Sequence, residues 1–374
     1  MINRTIEPAI RSALSSGKAV ILLGARQVGK TTLADLLFGS QPDTLWLNGD
    51  EPDVRAMFEN INSAKLKAII GNAKIVVIDE AQRIPDIGIK LKLIIDQIKS
   101  VQLVATGSSS FDLTNLVNEP LTGRKHEFVL YPLSFGEMVT HHGLLAETRL
   151  LEHRLVFGYY PEVVNSPGAE RKTLNEISSS YLYKDILALD RIKKSDKLMQ
   201  LLRALAFQIG SQVSFTEIGR LCGLDNKTVE RYIFLLEQAF VIFRLGSYSR
   251  NLRNELKTSR KIYFIDNGVR NSIIADYRPV ELRDDIGKLW ENFLISERIK
   301  RNSYSDSYAN SWFWRTQQQQ EIDYIEEFDG QLYAYEFKWN PSAKAKRSKA
   351  FFTAYPNSSF HVVHRENLDG FLLQ

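Results

Sequence analysis

A glycine-bounded loop near the start of the chain has the residue types needed to hold a chain of phosphates. It follows an apolar, strand-forming segment and leads into a helix-forming segment, all within residues 18–37. Glycines allow backbone N–H groups to turn toward phosphate oxygens at the positive end of the next helix. Lys30 would reach the β- and γ-phosphates, and the Thr31 hydroxyl would hold Mg²⁺. The residues expected to contact the nucleotide are Gly24, Ala25, Arg26, Gln27, Val28, Gly29, Lys30, Thr31 and Thr32.

Two carboxylates follow a second apolar segment, residues 75–78. Four consecutive β-branched residues favour a strand buried on both faces of a parallel sheet, and the C-terminal edge of such sheets is where ligands bind. We expect Asp79 to hold the magnesium, directly or through water, and Glu80 to polarise the attacking water. An acidic helix cap after a core strand is the plainer alternative.

A third strand is predicted over residues 101–106, with a helix over residues 86–99 before it. This strand would deliver Gly107 and Ser108 to the same edge of the sheet. Ser108 could contact the γ-phosphate or the attacking water, or simply cap a helix.

The segment from Glu321 to Asn340 predicts a hairpin with Asp329-Gly330 at its turn. Counting outward from the turn places Asp323 directly opposite Glu336. Like charges in opposed positions destabilise a sheet unless a cation lies between them. Tyr324, Tyr335 and Phe337 would lie on the other, buried face.

This hairpin could form a metal site for hydrolysis. Asp323, Glu336 and a backbone carbonyl would hold Mg²⁺, Glu291 would complete the ligands from a helix, and Lys338 would orient a metal-activated water. Downstream, Lys344, Lys346, Arg347 and Lys349 suit backbone phosphates. An exposed, ion-paired hairpin is the alternative that remains open.

Residues 214–245 predict a helix-turn-helix followed by a strand at Val241 to Leu245. Ser214 with Glu217 has the spacing of a capping box. If this module reads DNA, Lys227 and Arg231 near the start of the second helix are the residues to suspect. A role in packing alone is an equal alternative, because acidic residues dilute the basic face.

The composition is that of a globular protein of two or three domains. The chain has 374 residues, 44% of them hydrophobic and 25% charged, with a net charge of +4 and one cysteine, Cys222. No stretch approaches the length of a membrane span, and the first residues lack the apolar segment of a secretory signal. We expect a cytoplasmic protein with no membrane partner.

The motifs GARQVGKTTL, VVIDEAQ, VATGSSS and LTGRKHEFVLYPLSFGEM together resemble a family of bacterial and archaeal AAA-type ATPases with a C-terminal nuclease-like domain. The resemblance implies ATP and Mg²⁺ as ligands and a homo-oligomer. It also implies that Arg124 is an arginine finger acting on a neighbouring subunit, although an ordinary structural arginine is as good an interpretation.

The pattern of Glu291, Asp323, Glu336 and Lys338 resembles the restriction-endonuclease-like superfamily. The expected fold is α/β: a P-loop AAA-type parallel-sheet ATPase domain over 1–150, a helical and winged-helix middle over 151–255, and a restriction-endonuclease-like α/β domain over 256–374. The expected activity is ATP hydrolysis coupled to action on DNA. The alternatives are a metal-dependent nuclease that ATP regulates, and a nucleotide-gated DNA- or protein-binding scaffold that does not cleave.

Overall fold

The computed structural model describes residues 2–14, 16–108, 121–182, 195–249, 260–305, 307, 309–316 and 318–373. The chain divides into two compact units. The first comprises residues 1–133, 181–192 and 238–240, and the second comprises 134–180, 193–237 and 241–374. The expected boundary at residue 150 therefore lies within the second unit, and the one at residue 255 lies outside the described residues.

The first unit contains a five-stranded parallel sheet. Its strands are β1 (Ala19–Leu23), β2 (Thr44–Asn48), β3 (Ile75–Asp79), β4 (Gln102–Gly107) and β5 (Lys125–Val129), in the order β2-β3-β4-β1-β5. Its α-helices are α1 (Glu7–Ala13), α2 (Lys30–Phe38), α3 (Pro52–Met57), α4 (Ser63–Ile70) and α5 (Ile87–Gln97). The parallel sheet predicted from the three apolar segments is confirmed.

The apolar runs form interior strands of this sheet, where side chains on both faces are buried. All five residues of β1 are buried, as are the last four of β3. Each large apolar side chain buried in this way contributes about 1.5–3 kcal/mol relative to exposure. The carboxyl ends of β1, β4 and β3 lie side by side in the sheet, with β4 in the middle.

The second unit begins with a series of short helices. Its α-helices are α6 (Phe135–His142), α7 (Leu144–Arg149), α8 (Leu151–Phe157), α9 (Pro161–Val164), α10 (Glu170–Glu176), α11 (Ser195–Phe207), α12 (Phe215–Cys222), α13 (Asn226–Gln238), α14 (Asn267–Ile273), α15 (Ile286–Tyr304), α16 (Lys349–Ala354) and α17 (Leu368–Leu372). The predicted helix-turn-helix is the pair α12 and α13, and the Ser214 hydroxyl caps α12 by accepting from Glu217 N at 3.3 Å.

A seven-stranded mixed sheet completes this unit. Its strands are β6 (Gln212–Val213), β7 (Ile242–Ser247), β8 (Arg260–Phe264), β9 (Asn310–Arg315), β10 (Glu321–Phe328), β11 (Gln331–Phe337) and β12 (Ser359–Val363), in the order β12-β11-β10-β9-β7-β8-β6. The strand expected after the helix-turn-helix is β7. It pairs with β8 through Ile242–Leu245 and with β9 through Gly246 and Ser247, so it joins two groups of strands.

The β10–β11 hairpin has the predicted register. Phe328 pairs with Gln331, and Tyr324 pairs with Tyr335. Asp329 and Gly330 both have positive φ, at 49° and 76°, as the predicted two-residue turn requires. The second unit is therefore α/β, and its restriction-endonuclease-like identity stays a prediction. Among the residues described, no helix combines the length and apolar character needed to cross a membrane.

Candidate functional site

The loop between β1 and α2 is fixed by close backbone contacts. Gly24 has φ 151°, and a Cβ there would lie 2.1 Å from the carbonyl oxygen of Leu130, so only glycine fits. Gly29 has φ 97° immediately before α2. The buried Arg4 side chain donates to Val28 O at 2.7 Å and to Tyr131 O at 2.6 Å. Arg4 was missed from the sequence because its contacts lie far along the chain.

Lys30 is held over this loop. Its ammonium donates to Gly24 O at 2.8 Å and to Ala25 O at 2.9 Å, and the side chain is buried. Because the lysine starts α2, its charge adds to the positive end of that helix. The loop therefore presents a fixed cation and the helix dipole at one place, which is the electrostatic requirement for binding a polyphosphate.

The loop and the acidic strand end meet at Thr31 and Asp79. Thr31 Oγ1 donates to Asp79 Oδ2 at 2.8 Å, and Thr106 at the end of β4 donates to Asp79 Oδ1. Asp79 is buried. A hydroxyl beside a carboxylate is a set of hard oxygen donors, so these residues fit Mg²⁺, which prefers oxygen ligands and keeps several waters. Thr106 was not singled out from the sequence, although it ends a predicted strand.

Glu80 lies on a strained backbone beside this pair. It has φ 48°, outside the usual range for a non-glycine residue. Its carboxylate accepts from Gln82 Nε2 at 2.6 Å, and the same amide group donates to Ser108 Oγ at 3.0 Å. Gln82 thus connects Glu80 with Ser108. Gln82 was not singled out from the sequence. It ends the VVIDEAQ motif, two residues after the proposed base Glu80, and this spacing was the available signal.

The structure brings together the predicted residues of the loop, Asp79, Glu80 and Ser108 at one edge of the sheet. Arg124 lies elsewhere in the same unit, where its Nε donates to Asp96 Oδ1 at 2.9 Å and its side chain is 43% exposed. The roles assigned to all these residues stay predictions.

A second group of ionisable side chains lies in the second unit. Glu291 comes from α15, Asp323 from β10 and Glu336 from β11, as predicted, and Lys338 follows β11. A β-bulge between Ile322 and Ile325 interrupts the pairing of β10 with β9 at Asp323. Bulges often redirect a side chain next to a functional site, and this one could not be read from the sequence.

The group contains a cation that sequence reasoning missed. Lys261 on β8 is 2% exposed, and its ammonium lies 2.9 Å from Glu291 Oε1 and 2.5 Å from Glu321 Oε1. Tyr263, two residues along the same strand, donates to Glu291 Oε1 at 2.5 Å. Lys261 belongs to no motif, and the pairing of β7 with both β8 and β9 is a tertiary feature, so no sequence signal pointed to this lysine.

The acids of this group influence each other strongly. Burial, together with the charges of Glu291 and Glu336, raises the pKa of Asp323 well above its usual value. Asp323 Oδ2 accepts from Phe337 N at 2.8 Å. Burial lowers the pKa of Lys261, but the neighbouring carboxylates outweigh it and the net shift is upward. The lysine therefore stays charged.

The second lysine of this group, Lys338, is more exposed than Lys261. Lys338 donates to Glu336 Oε1 at 2.7 Å, and its side chain is 29% exposed. Among the residues that the structure describes, no group of three or more His, Cys, Asp or Glu side chains is arranged to hold a metal ion. The predicted metal ligands are thus near one another, but two of them bond to lysines and they do not converge on one point. Their role as metal ligands stays a prediction.

The predicted DNA-contacting residues are on the surface of the second unit. Lys227 and Arg231 are exposed on α13, with the exposed Glu230 between them. The four cations at positions 344–349 are exposed on an irregular segment that ends at α16. Ser348 within it donates to Gln320 Oε1 at 2.7 Å, which places this segment beside the start of β10.

Three family models match successive parts of the chain. Residues 16–139 match an AAA domain. Residues 148–278 match a domain of unknown function, DUF8612, and residues 286–369 match another, DUF4143.

The chain is similar to curated proteins of bacteria. It is 28% identical over 343 residues to an uncharacterized protein of Mycobacterium tuberculosis, which covers 91% of this chain and 74% of that protein. It is 27% identical over 220 residues to an uncharacterized protein of Haemophilus influenzae, covering 52% of this chain and 55% of that protein.

Among solved structures, the Walker-type ATPase of Pyrococcus abyssi resembles this chain with a TM-score of 0.51. The identity is 14%, and the match covers 73% of this chain and 96% of that one. At this identity the likeness concerns the fold. With the AAA domain match, it supports a P-loop AAA-type ATPase fold in the N-terminal part of the chain.

Proposed function

We propose that this protein binds and hydrolyses ATP with Mg²⁺ at the edge of the parallel sheet. The observation that carries the proposal is the 2.8 Å contact between the Thr31 hydroxyl and the Asp79 carboxylate. This contact joins the phosphate-binding loop to the acidic end of β3. A P-loop ATPase needs these two parts next to each other.

Each residue then has a defined task. The backbone of residues 24–31 surrounds the phosphates, and Lys30 neutralises charge on the β- and γ-phosphates. Thr31, and Asp79 directly or through water, would hold Mg²⁺, which would supply positive charge against the charge that develops on the phosphate oxygens. Glu80 orients and deprotonates the attacking water, and Ser108 contacts that water or the γ-phosphate.

The test is phosphate release from ATP by the full chain and its Glu80→Gln variant. We expect the substitution to lower turnover by about 100-fold or more, because a positioned general base contributes at least that much. Glu59→Gln, at an exposed position in the same unit, is the control and keeps full activity. Undiminished phosphate release from Glu80→Gln would remove Glu80 from this role.

The second unit supports a second candidate function, which is binding of nucleic acid. The observation that favours it is the exposed segment containing Lys344, Lys346, Arg347 and Lys349. Within the described part of the chain, none of these four cations pairs with an acidic side chain. Arg347 lies over the Phe352 ring at 4.1 Å, which combines a cation with an aromatic face. Lys227 and Arg231 on α13 would add further phosphate contacts.

Binding of a fluorescent DNA duplex over a range of salt concentrations tests this function. Replacing the four cations by Ala should weaken binding and reduce the salt slope by about 3–4, since each phosphate contact contributes about 0.9. The matched control replaces four exposed lysines of the first unit, Lys65, Lys67, Lys74 and Lys99. Equal effects of the two sets would rule out this segment as the binding surface.

A further inference from the structure

The acid group of the second unit contains its own buried cation. Lys261 bonds to Glu291 and Glu321, and both carboxylates lie within hydrogen-bond distance of its ammonium. Glu291 is also one of the three residues predicted to ligate a metal. The Lys261 ammonium is therefore already bonded to Oε1 of Glu291, one of the oxygens expected to ligate the metal.

Lys261 is held in place from several directions. The β8 ladder fixes its backbone, because Lys261 pairs with Leu245 on one side and with Gln212 on the other. Its ammonium lies 5.3 Å from the centre of the Phe313 ring, which attracts a cation. Since the side chain is 2% exposed, the ammonium cannot move into water without a larger rearrangement.

The surroundings of Lys261 are unfavourable for a divalent cation. Mg²⁺ needs near-octahedral oxygen ligands at short distance, and two of the nearby carboxylates already accept from Lys261. The fixed positive charge would also repel a second cation a few ångströms away, in surroundings where water screens it little. The residues present therefore do not fit a divalent metal while Lys261 keeps its position.

We infer that Lys261 is the resident cation of the acid group formed by Glu291, Glu321 and Asp323, and that it takes the place a catalytic divalent metal would need. This inference rests on the proposed nucleic-acid binding only in one respect: a polyanion bound by the second unit would not undergo metal-dependent cleavage at these acids. Lys338 does not have this role, because its side chain is partly exposed and its ammonium bonds to Glu336 alone among the described acids.

Binding of Mn²⁺ to the full chain, followed by the electron paramagnetic resonance signal of the free ion, tests this inference. The parent protein carries Thr31→Ala and Asp79→Asn, so that the P-loop site contributes no binding and the outcome is independent of the ATPase proposal. We expect this parent to have no saturable Mn²⁺ site that depends on Asp323. Adding Asp323→Asn should therefore leave its Mn²⁺ binding unchanged. Adding Lys261→Met should create a saturable Mn²⁺ site with an affinity at least about tenfold above the nonspecific binding of the parent, and Asp323→Asn should abolish that site.

Lys338→Met is the matched control, because it also removes a lysine from this group. It should create no Mn²⁺ site. Equal Mn²⁺ binding after either lysine substitution would contradict a specific role for Lys261, and so would a folded Lys261→Met protein that binds no Mn²⁺. If Lys261→Met does not fold, the parent decides: a saturable site that disappears with Asp323→Asn overturns the inference, and no such site supports it.

Discussion

At the scale of single residues, Gln82 is the side chain that most changes the interpretation of the nucleotide site. Its amide group bonds to Glu80 and Ser108, at the ends of two neighbouring strands. Glu80 has a strained backbone, and its carboxylate accepts from Gln82, so this contact helps to fix where the proposed base points. Gln82 is thus a positioning residue for the attacking water and is not expected to touch ATP.

Gln82→Ala should lower kcat by about tenfold and leave the KM for ATP nearly unchanged, because an orientation effect appears in the reaction step. Gln102→Ala is the control. Gln102 also donates from its amide group, to Lys18 O at 2.9 Å, but at the start of β4. A rise in KM with unchanged kcat would show instead that Gln82 contributes to nucleotide binding.

Residues with a local pattern were the ones that could be predicted. The glycines, Lys30 and Thr31 follow from an eight-residue spacing, and Asp79 follows from a buried strand that ends in an acid. Thr106 and Lys261 were not predicted, because their importance arises from partners 27 or more residues away. Gln82 was overlooked although it lies two residues after Glu80, because its second partner, Ser108, is 26 residues away. Contacts over such distances depend on the order of strands in the sheet, which a single sequence does not provide.

At the scale of elements, the loop between β1 and α2 depends on the strand beside it. The carbonyl of Leu130, just after β5, closes the space next to Gly24. The conformation of the phosphate-binding loop is therefore maintained by tertiary packing as well as by its own glycines.

Gly24→Ala should destabilise the protein by about 1–3 kcal/mol, since the added Cβ must displace backbone. It should also weaken ATP binding. Gly287→Ala in α15 is the control, because nothing lies within 4 Å of an added Cβ there. Thermal unfolding of the full chain measures the first effect. Unchanged stability of Gly24→Ala would show that the loop and Leu130 are not tightly coupled.

The elements themselves were largely predictable. Three of the five strands of the first unit, β1, β3 and β4, follow from apolar runs, and the hairpin register in the second unit follows from the Asp329-Gly330 turn. The β-bulge at Asp323 and the double pairing of β7 were not predicted. Both are adjustments of one strand to its neighbours, and neither can be recognised from the local pattern of residue types.

At the scale of the whole molecule, the homo-oligomer that the family resemblance implies would give Arg124 its role. Arg124 is exposed and bonds to Asp96 of its own chain, a surface pair that contributes about 1 kcal/mol or less. Such a weak contact is easily exchanged for a phosphate of a neighbouring subunit. In that arrangement ATP hydrolysis depends on assembly.

Turnover per chain should therefore rise with protein concentration, and Arg124→Ala should reduce it by about 10³-fold, as for other arginine fingers. Mixing Arg124→Ala chains with Lys30→Ala chains should restore part of the activity, because each supplies what the other lacks. Arg83→Ala is the control, as Arg83 forms a similar surface pair with Asp50. Full activity of Arg124→Ala at every concentration would exclude the finger.

The most direct test of the nucleotide site is a calorimetric titration of the full chain with Mg²⁺ and ATP. We expect saturable binding by the wild-type chain and a loss of affinity of about tenfold or more in Lys30→Ala, because a charged hydrogen-bond donor to the phosphates is removed. Absence of ATP binding by the wild-type chain at any Mg²⁺ concentration would contradict the proposed function.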